Sequence, residues 1–154
     1  MKIGVIAIHG GNIEPGTGEI AKALAGDDFP VYVNEEGPHV TSSEFQNEKL
    51  DELLKRVDLV ISIHGQYDTE SAFTMVGGFH KELASKISEA LSGAGFAMKS
   101  PPENLDGDNP KNVCNRGLFG KGVQLEISRL QRDQLLDQKN LMDKYIEAIK
   151  IALK

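Results

Sequence analysis

The chain carries a single cysteine, Cys114, so it has no disulfide framework and no cysteine-rich zinc finger. No run approaches the ~20 apolar residues of a membrane span. The apolar stretch after Lys2 breaks at His9, too early for the apolar region of a signal peptide, and no small-residue cleavage site follows. From these absences we expect a protein of a reducing compartment with no membrane association, cytoplasmic or released on lysis rather than exported by the usual signal. Positive charge is in deficit as well: 17 Lys and Arg against 23 Asp and Glu leave a net charge of −6. That balance argues against a broad nucleic-acid surface built on phosphate contacts. No solenoid repeat and no low-complexity tract occurs. The 154 residues form one domain, 1–154, long enough to bury a core without a structural metal, so any bound metal would serve function.

Two short apolar runs, K-I-G-V-I-A-I before His9-Gly10 and V-D-L-V-I-S-I before His64-Gly65, end in the same dipeptide. Their Val and Ile content fits strands buried on both faces of a parallel sheet. Open α/β sheets carry their ligand sites beyond the carboxyl ends of such strands, which predicts His9 and His64 on one rim. Glu14 follows His9 through a glycine-rich turn, near enough to fold back beside it. Two imidazoles and a carboxylate are the His2Glu donor set of a catalytic zinc site, with a fourth position open to water. The alternative reading makes each histidine a strand-end residue bonded to a loop and sets Glu14 at a helix N-terminus, where the dipole favours it.

Further along, Thr17 reads as the N-cap of a helix with Ile20, Ala23 and Leu24 on one face and Gly26 as its stop. F-P-V-Y-V at 29–33 reads as a strand and 34–42 as a loop. Ser43 with Gln46 has capping-box spacing ahead of the stripe Leu50, Leu53, Leu54 and Val57. A short strand is expected at 72–76, and a helix follows with Phe79, Leu83, Ile87 and Leu91 on one side. F-A-M-K is a strand candidate. The Pro- and Gly-rich region 100–121 has no periodicity, and loops of that length in a small domain are usually functional or disordered. In G-V-Q-L-E-I-S, Val123, Leu125 and Ile127 face one way while Gln124, Glu126 and Ser128 face the other. One or two helices fill 131–153. Strands alternating with helices give an α/β sandwich, a mostly parallel (mixed) sheet of five or six strands with helices on both faces.

With H-G-G-N-I-E-P-G-T at 9–17, His64, N-V-C-N-R at 112–116 and the strand holding Glu126, the chain resembles the poly-γ-glutamate hydrolases over nearly its whole length. These are small zinc hydrolases of phages and bacilli with a fold like that of the zinc carboxypeptidases. The resemblance implies one Zn2+ per chain bound by His9, Glu14 and His64, with Glu126 as the catalytic carboxylate. It further implies an anionic glutamate polymer or glutamyl substrate, with Arg116 receiving one of its carboxylates. A monomer is expected.

Glu126 has a competing reading as a solvent-facing carboxylate on an edge strand, and Arg116 as a loop-pinning arginine. Asn112 and Asn115 are candidate substrate contacts or turn formers. His39 and His80 are set aside as solvated histidines. Lys99, Lys111, Arg116, Lys121 and Arg129 supply positive charge between 99 and 129, but Glu103, Asp106, Asp108 and Glu126 oppose it. Three rival functions stand beside the hydrolase. One is a zinc amidohydrolase of small N-acyl amino acids. Another is a non-catalytic polyanion-binding module. The third, an NAD oxidoreductase, rests on G-T-G-E-I-A at 16–21 with Glu35 beyond, although six residues separate His9 from the first glycine of that stretch.

Overall fold

The computed structural model describes residues 1–154. Six strands form one sheet: β1 (Ile3–Ala7), β2 (Val31–Val33), β3 (Leu59–Gln66), β4 (Thr74–Gly77), β5 (Met98–Lys99) and β6 (Val123–Ser128), in the order β2-β1-β3-β6-β4-β5. All neighbours run parallel except β4 and β6, which are antiparallel, so the sheet is mostly parallel and mixed. Around it lie α1 (Thr17–Ala25), α2 (Glu48–Leu54), α3 (Lys81–Gly93), α4 (Arg129–Asp137) and α5 (Lys139–Ala152).

The two-residue period of the strands divides the core. Ile3, Val5, Ala7, Leu59, Ile61, Ile63, Val123, Leu125 and Ile127 point to one face and pack against α1, α3, α4 and α5 in a cluster of 23 buried residues. Ile6, Ile8 and Val60 point to the other face, where Leu50, Leu53 and Leu54 of α2 join Phe45, Val57 and Val113 in a cluster of nine. This second layer covers only part of its face. Towards the carboxyl ends of β3 and β6 the same parity turns polar: Ser62 and His64 on β3, Gln124 and Glu126 on β6. Register sets His64 directly beside Glu126. A strand position that would otherwise carry an aliphatic side chain thus carries a histidine, and its neighbour carries a carboxylate.

Several local expectations are corrected. Gly16, with φ 94°, occupies the N-cap of α1 and Thr17 is the first helical residue. The Thr17 hydroxyl is engaged elsewhere, donating to the carbonyls of His9 (3.2 Å) and Glu14 (2.9 Å). Asn47, not Ser43, caps α2, and its side chain accepts from the N–H groups of Lys49 and Leu50 at 2.9 and 3.2 Å. The segment 131–153 is two helices, broken where Gln138 becomes extended. Helix α1 starts well beyond the end of β1, so Gly16 and Gly18 lie outside the strand-to-helix turn that a dinucleotide fingerprint requires. Residues 100–121 contain two short 3-10 turns, at Glu103–Leu105 and Val113–Asn115.

Candidate metal centre

The loop from His9 to Thr17 folds back on itself. The Glu14 N–H donates to the His9 carbonyl at 2.8 Å and the Ile13 N–H to the Gly10 carbonyl at 3.2 Å, which with the Thr17 bonds closes the turn. Gly11 has φ 60°, and a Cβ there would stand 2.4 Å from the Glu35 carbonyl oxygen. Only glycine allows this approach. The turn delivers the Glu14 carboxylate back beside the His9 ring.

Three potential ligand atoms then converge. His9 Nδ1 lies 3.1 Å from Glu14 Oε1, His64 Nδ1 lies 3.6 Å from the same oxygen, and the two Nδ1 atoms are 3.3 Å apart. Each imidazole has its other nitrogen occupied: His9 Nε2 donates to the Val40 carbonyl at 2.6 Å, and His64 Nε2 lies 3.0 Å from Ser62 Oγ and 3.4 Å from Ser42 Oγ. Such outer bonds fix the ring and leave Nδ1 to face the site. Glu14 Oε1 is oriented by the Gly65 N–H at 2.9 Å. Nitrogen and oxygen donors at 2.0–2.1 Å from a tetrahedral zinc stand about 3.3–3.4 Å from one another, so these separations match three corners of that geometry. The donor set therefore fits a zinc ion on distance and on chemistry.

Electrostatics follow the same logic. Burial alone would raise Glu14, but hydrogen bonds with His64 and His9 outweigh it and hold the carboxyl well below the usual carboxylate range. Burial lowers His64 below an ordinary imidazole. For His9 burial also works downwards, but the bond and charge of Glu14 overcome it and raise the imidazole.

The sequence reading set His39 aside, and the structure brings it to the site. Its ring stacks on His9 with centroids 4.1 Å apart, and Nε2 lies 3.7 Å from Glu14 Oε2. Ligand atoms of His9, Glu14 and His39 fall within 4.8 Å of one another, so a second donor set shares two members with the first. His39 has 55% of its side chain exposed whereas His64 has 2%. Of the two alternative third donors, His64 is the buried one and His39 the exposed one. No spacing signal in the loop 34–42 marks His39, because its place depends on where that loop crosses β1.

Glu126 is buried beside this cluster, not exposed on an edge. Burial pushes its carboxyl well above the usual carboxylate range, Glu14 adds to the rise, and Arg132 works against it. Gln124 Nε2 donates to Glu126 Oε1 at 3.3 Å and to the Leu105 carbonyl at 3.2 Å, while Asn112 Nδ2 donates to Gln124 Oε1 at 3.1 Å. Asn112 thus lines the cavity and supports the residue that supports Glu126. Asn115 is committed elsewhere: its oxygen accepts from the N–H groups of Phe79 and Gly122, and its amide donates to the carbonyls of Gly107 and Asn109. Arg116 likewise donates to the carbonyls of Lys111, Phe45 and Ser42. Neither Asn115 nor Arg116 lines the cavities around the cluster. His80 caps α3, with Nδ1 accepting from the Leu83 N–H at 3.3 Å.

Residues 1–150 match the model of the poly-gamma-glutamate hydrolase family. The chain belongs to that family. Among similar proteins, the SPbeta prophage-derived UPF0714 protein YoqZ of Bacillus subtilis (strain 168) is 37% identical over 142 residues, which are 86% of this chain and 51% of YoqZ. A solved bacteriophage poly-gamma-glutamate hydrolase superposes with a TM-score of 0.88 at 29% identity, covering 98% of this chain and 82% of that one. The zinc-free apo form of YndL gives a TM-score of 0.89 at 27% identity, covering 99% and 84%. The chain spans 51% to 61% of the length of the curated relatives it matches.

Proposed function

We propose that the chain is a zinc-dependent amidohydrolase that cleaves γ-glutamyl amide bonds in poly-γ-glutamate. One observation carries the reading. His9 Nδ1, His64 Nδ1 and Glu14 Oε1 stand 3.1 to 3.6 Å apart with their outer atoms tied, and Glu126 sits in register beside His64. Membership of the family supports γ-linked glutamate as the substrate, and the existence of a zinc-free apo form of YndL supports zinc as the metal.

When bound to His9, Glu14 and His64, zinc supplies Lewis acidity, which brings a water molecule to reactivity near neutral pH and polarises a carbonyl. Glu126 does the proton work. Its carboxylate takes a proton from the attacking water and returns it to the nitrogen of the departing amine, a task suited to a carboxyl whose burial keeps its proton affinity high. Gln124 holds Glu126 in place through Oε1, and Asn112 fixes Gln124. His39 screens the donor cluster from solvent on one side.

The direct test is elemental analysis after dialysis against metal-free buffer, paired with digestion of poly-γ-glutamate. We expect about one zinc per chain in the wild type, lost in His64→Ala together with the shortening of the polymer. Wild-type protein that takes up no zinc on reconstitution overturns the proposal and leaves a polyanion-binding module. Cleavage confined to small N-acyl amino acids, with no dependence on glutamyl chain length, replaces the polymer with that substrate class.

A further inference from the structure

The cleft around the donor cluster has two arms of opposite character. One arm, about 500 Å³, has Glu103, Asp106 and Asp108 in its wall and neither lysine nor arginine. The other, about 440 Å³, is walled by Arg129 and Arg132. They meet at Glu14, His39, Gly65, Asn104, Leu105 and Glu126, the residues bordering the reacting centre. Of the five cations between 99 and 129, Arg129 alone reaches the cleft, and it already engages Asp133 at 2.9 Å.

Arg132 differs from every other cation in the molecule. It is 3% exposed, and Nε and Nη1 have no hydrogen-bond partner. Its one bond runs from Nη2 to the Gln66 carbonyl at 3.1 Å. The guanidinium lies close against Gly65, next to His64 in the chain: a Cβ on Gly65 would stand 1.9 Å from Nη1. A desolvated guanidinium with idle donors is costly unless an anion completes it, and a carboxylate offers the two coplanar oxygens that a guanidinium fork matches.

In a chain of γ-linked glutamates, the nitrogen of each amide is attached to a carbon that bears a free carboxylate. That carboxylate is the substrate charge nearest the bond to be cut on the amine side. We propose that Arg132 receives it, so that the amine side of the substrate lies in the arginine arm and the acyl side extends into the acidic arm. This assignment rests on the γ-glutamyl reading above, and it gives Arg132 the role that the sequence resemblance assigned to Arg116.

The test is calorimetric binding of a γ-linked triglutamate and of its α-carboxamide counterpart, in an E126Q background that slows turnover. The parent should prefer the carboxylate peptide at least tenfold. R132Q should bind that peptide about 10- to 100-fold more weakly, the range of a charge-assisted hydrogen bond, and should lose the preference for carboxylate over carboxamide. R116Q should keep it. R132K serves if R132Q does not fold: with its charge retained and its fork removed, its preference should fall while its melting temperature stays near the parent's. Undiminished preference in R132Q, or in a folded R132K, overturns the assignment and makes Arg132 a structural cation. Failure of the underlying reading looks different, because the wild type would then neither cleave poly-γ-glutamate nor bind either peptide.

Discussion

At the scale of single residues, the site is a contest over protons. Glu126 is held above the ordinary carboxylate range and Glu14 below it, and the two respond to pH in opposite senses. In the zinc-free protein, the raised proton affinity of folded Glu126 contributes stability that is fully present below the usual carboxylate range and is lost as pH rises through its folded value. Glu14 contributes in reverse: its share is present above the usual range and is lost as pH falls. Replacing Glu126 by Gln keeps the shape and removes the titration. We expect E126Q to lower turnover by about 10²- to 10⁴-fold while zinc content is unchanged. Its zinc-free form should melt above the wild type at neutral pH and with it in acid. A thermal unfolding series across pH, beside a rate measurement, checks both. His39 and His64 give a second prediction. On the proposed donor set, His64→Ala should abolish stable zinc binding, whereas His39→Ala, which removes the more exposed ring, should retain about one zinc per chain. Zinc retained in His64→Ala and lost in His39→Ala would select the other donor set.

At the scale of elements, the loop between β1 and α1 is the part most sensitive to small change. Gly11 combines a φ of 60° with a carbonyl 2.4 Å from where its Cβ would stand. Gly11→Ala must therefore move the turn that aims Glu14, at a local cost of about 1–2 kcal/mol for the left-handed backbone alone. Zinc affinity should fall by about tenfold or more, the order of change produced by disturbing the supports of a ligand, as read by competition with a chelator. Gly93→Ala is the contrasting case. Gly93 closes α3 with nothing within 4 Å of an added methyl, so the substitution should stabilise by about 0.5–1 kcal/mol and leave zinc affinity alone. Helix α4 carries its own signal: Arg129 and Arg132 occupy the start of the helix, and no acidic residue stands in its first turn. Cations at that end oppose the helix dipole, so a compensating demand is expected there. In the sequence α4 reads as an ordinary helix, because nothing local reveals that its fourth residue, Arg132, meets Gly65 and Gln66.

At the scale of the whole molecule, the apolar layers stand without the site. The larger cluster draws on β1, β3, β6 and four helices, and the donor cluster lies at the carboxyl ends of the strands, outside that core. Removing zinc should therefore lower the melting temperature without unfolding the chain. At zinc concentrations about 100 times Kd the bound ion contributes roughly 2.7 kcal/mol, which in a domain of this size corresponds to about 5–11 °C. Far-ultraviolet circular dichroism should be unchanged after chelation while the melting curve shifts by that amount; loss of the spectrum would mean that the metal is structural. The net charge of −6 would oppose the proposed polyanionic substrate, and the arginines at the cleft are confined to one of its arms.

How far the sequence reached follows from range. Short β-branched runs ending in His-Gly, the alternation around Glu126 and the stripes of the helices are local patterns with fixed periods, so they determined an α/β sandwich and a rim bearing His9, Glu14 and His64. Cap positions were less legible: Thr17 and Ser43 had suitable side chains, but the Thr17 hydroxyl closes the preceding His9–Thr17 loop, and Asn47 was better placed before α2. What only the tertiary structure decided were contacts between segments far apart in the chain. His39 reaches His9 because a surface loop crosses the strand ends. Arg116 is consumed by the carbonyls of Ser42, Phe45 and Lys111, whereas Arg132 arrives buried and unpaired against Gly65. Residue type tells what an arginine can bind. Only the packing of distant segments fixes which arginine has its donors spent on backbone and which keeps them free.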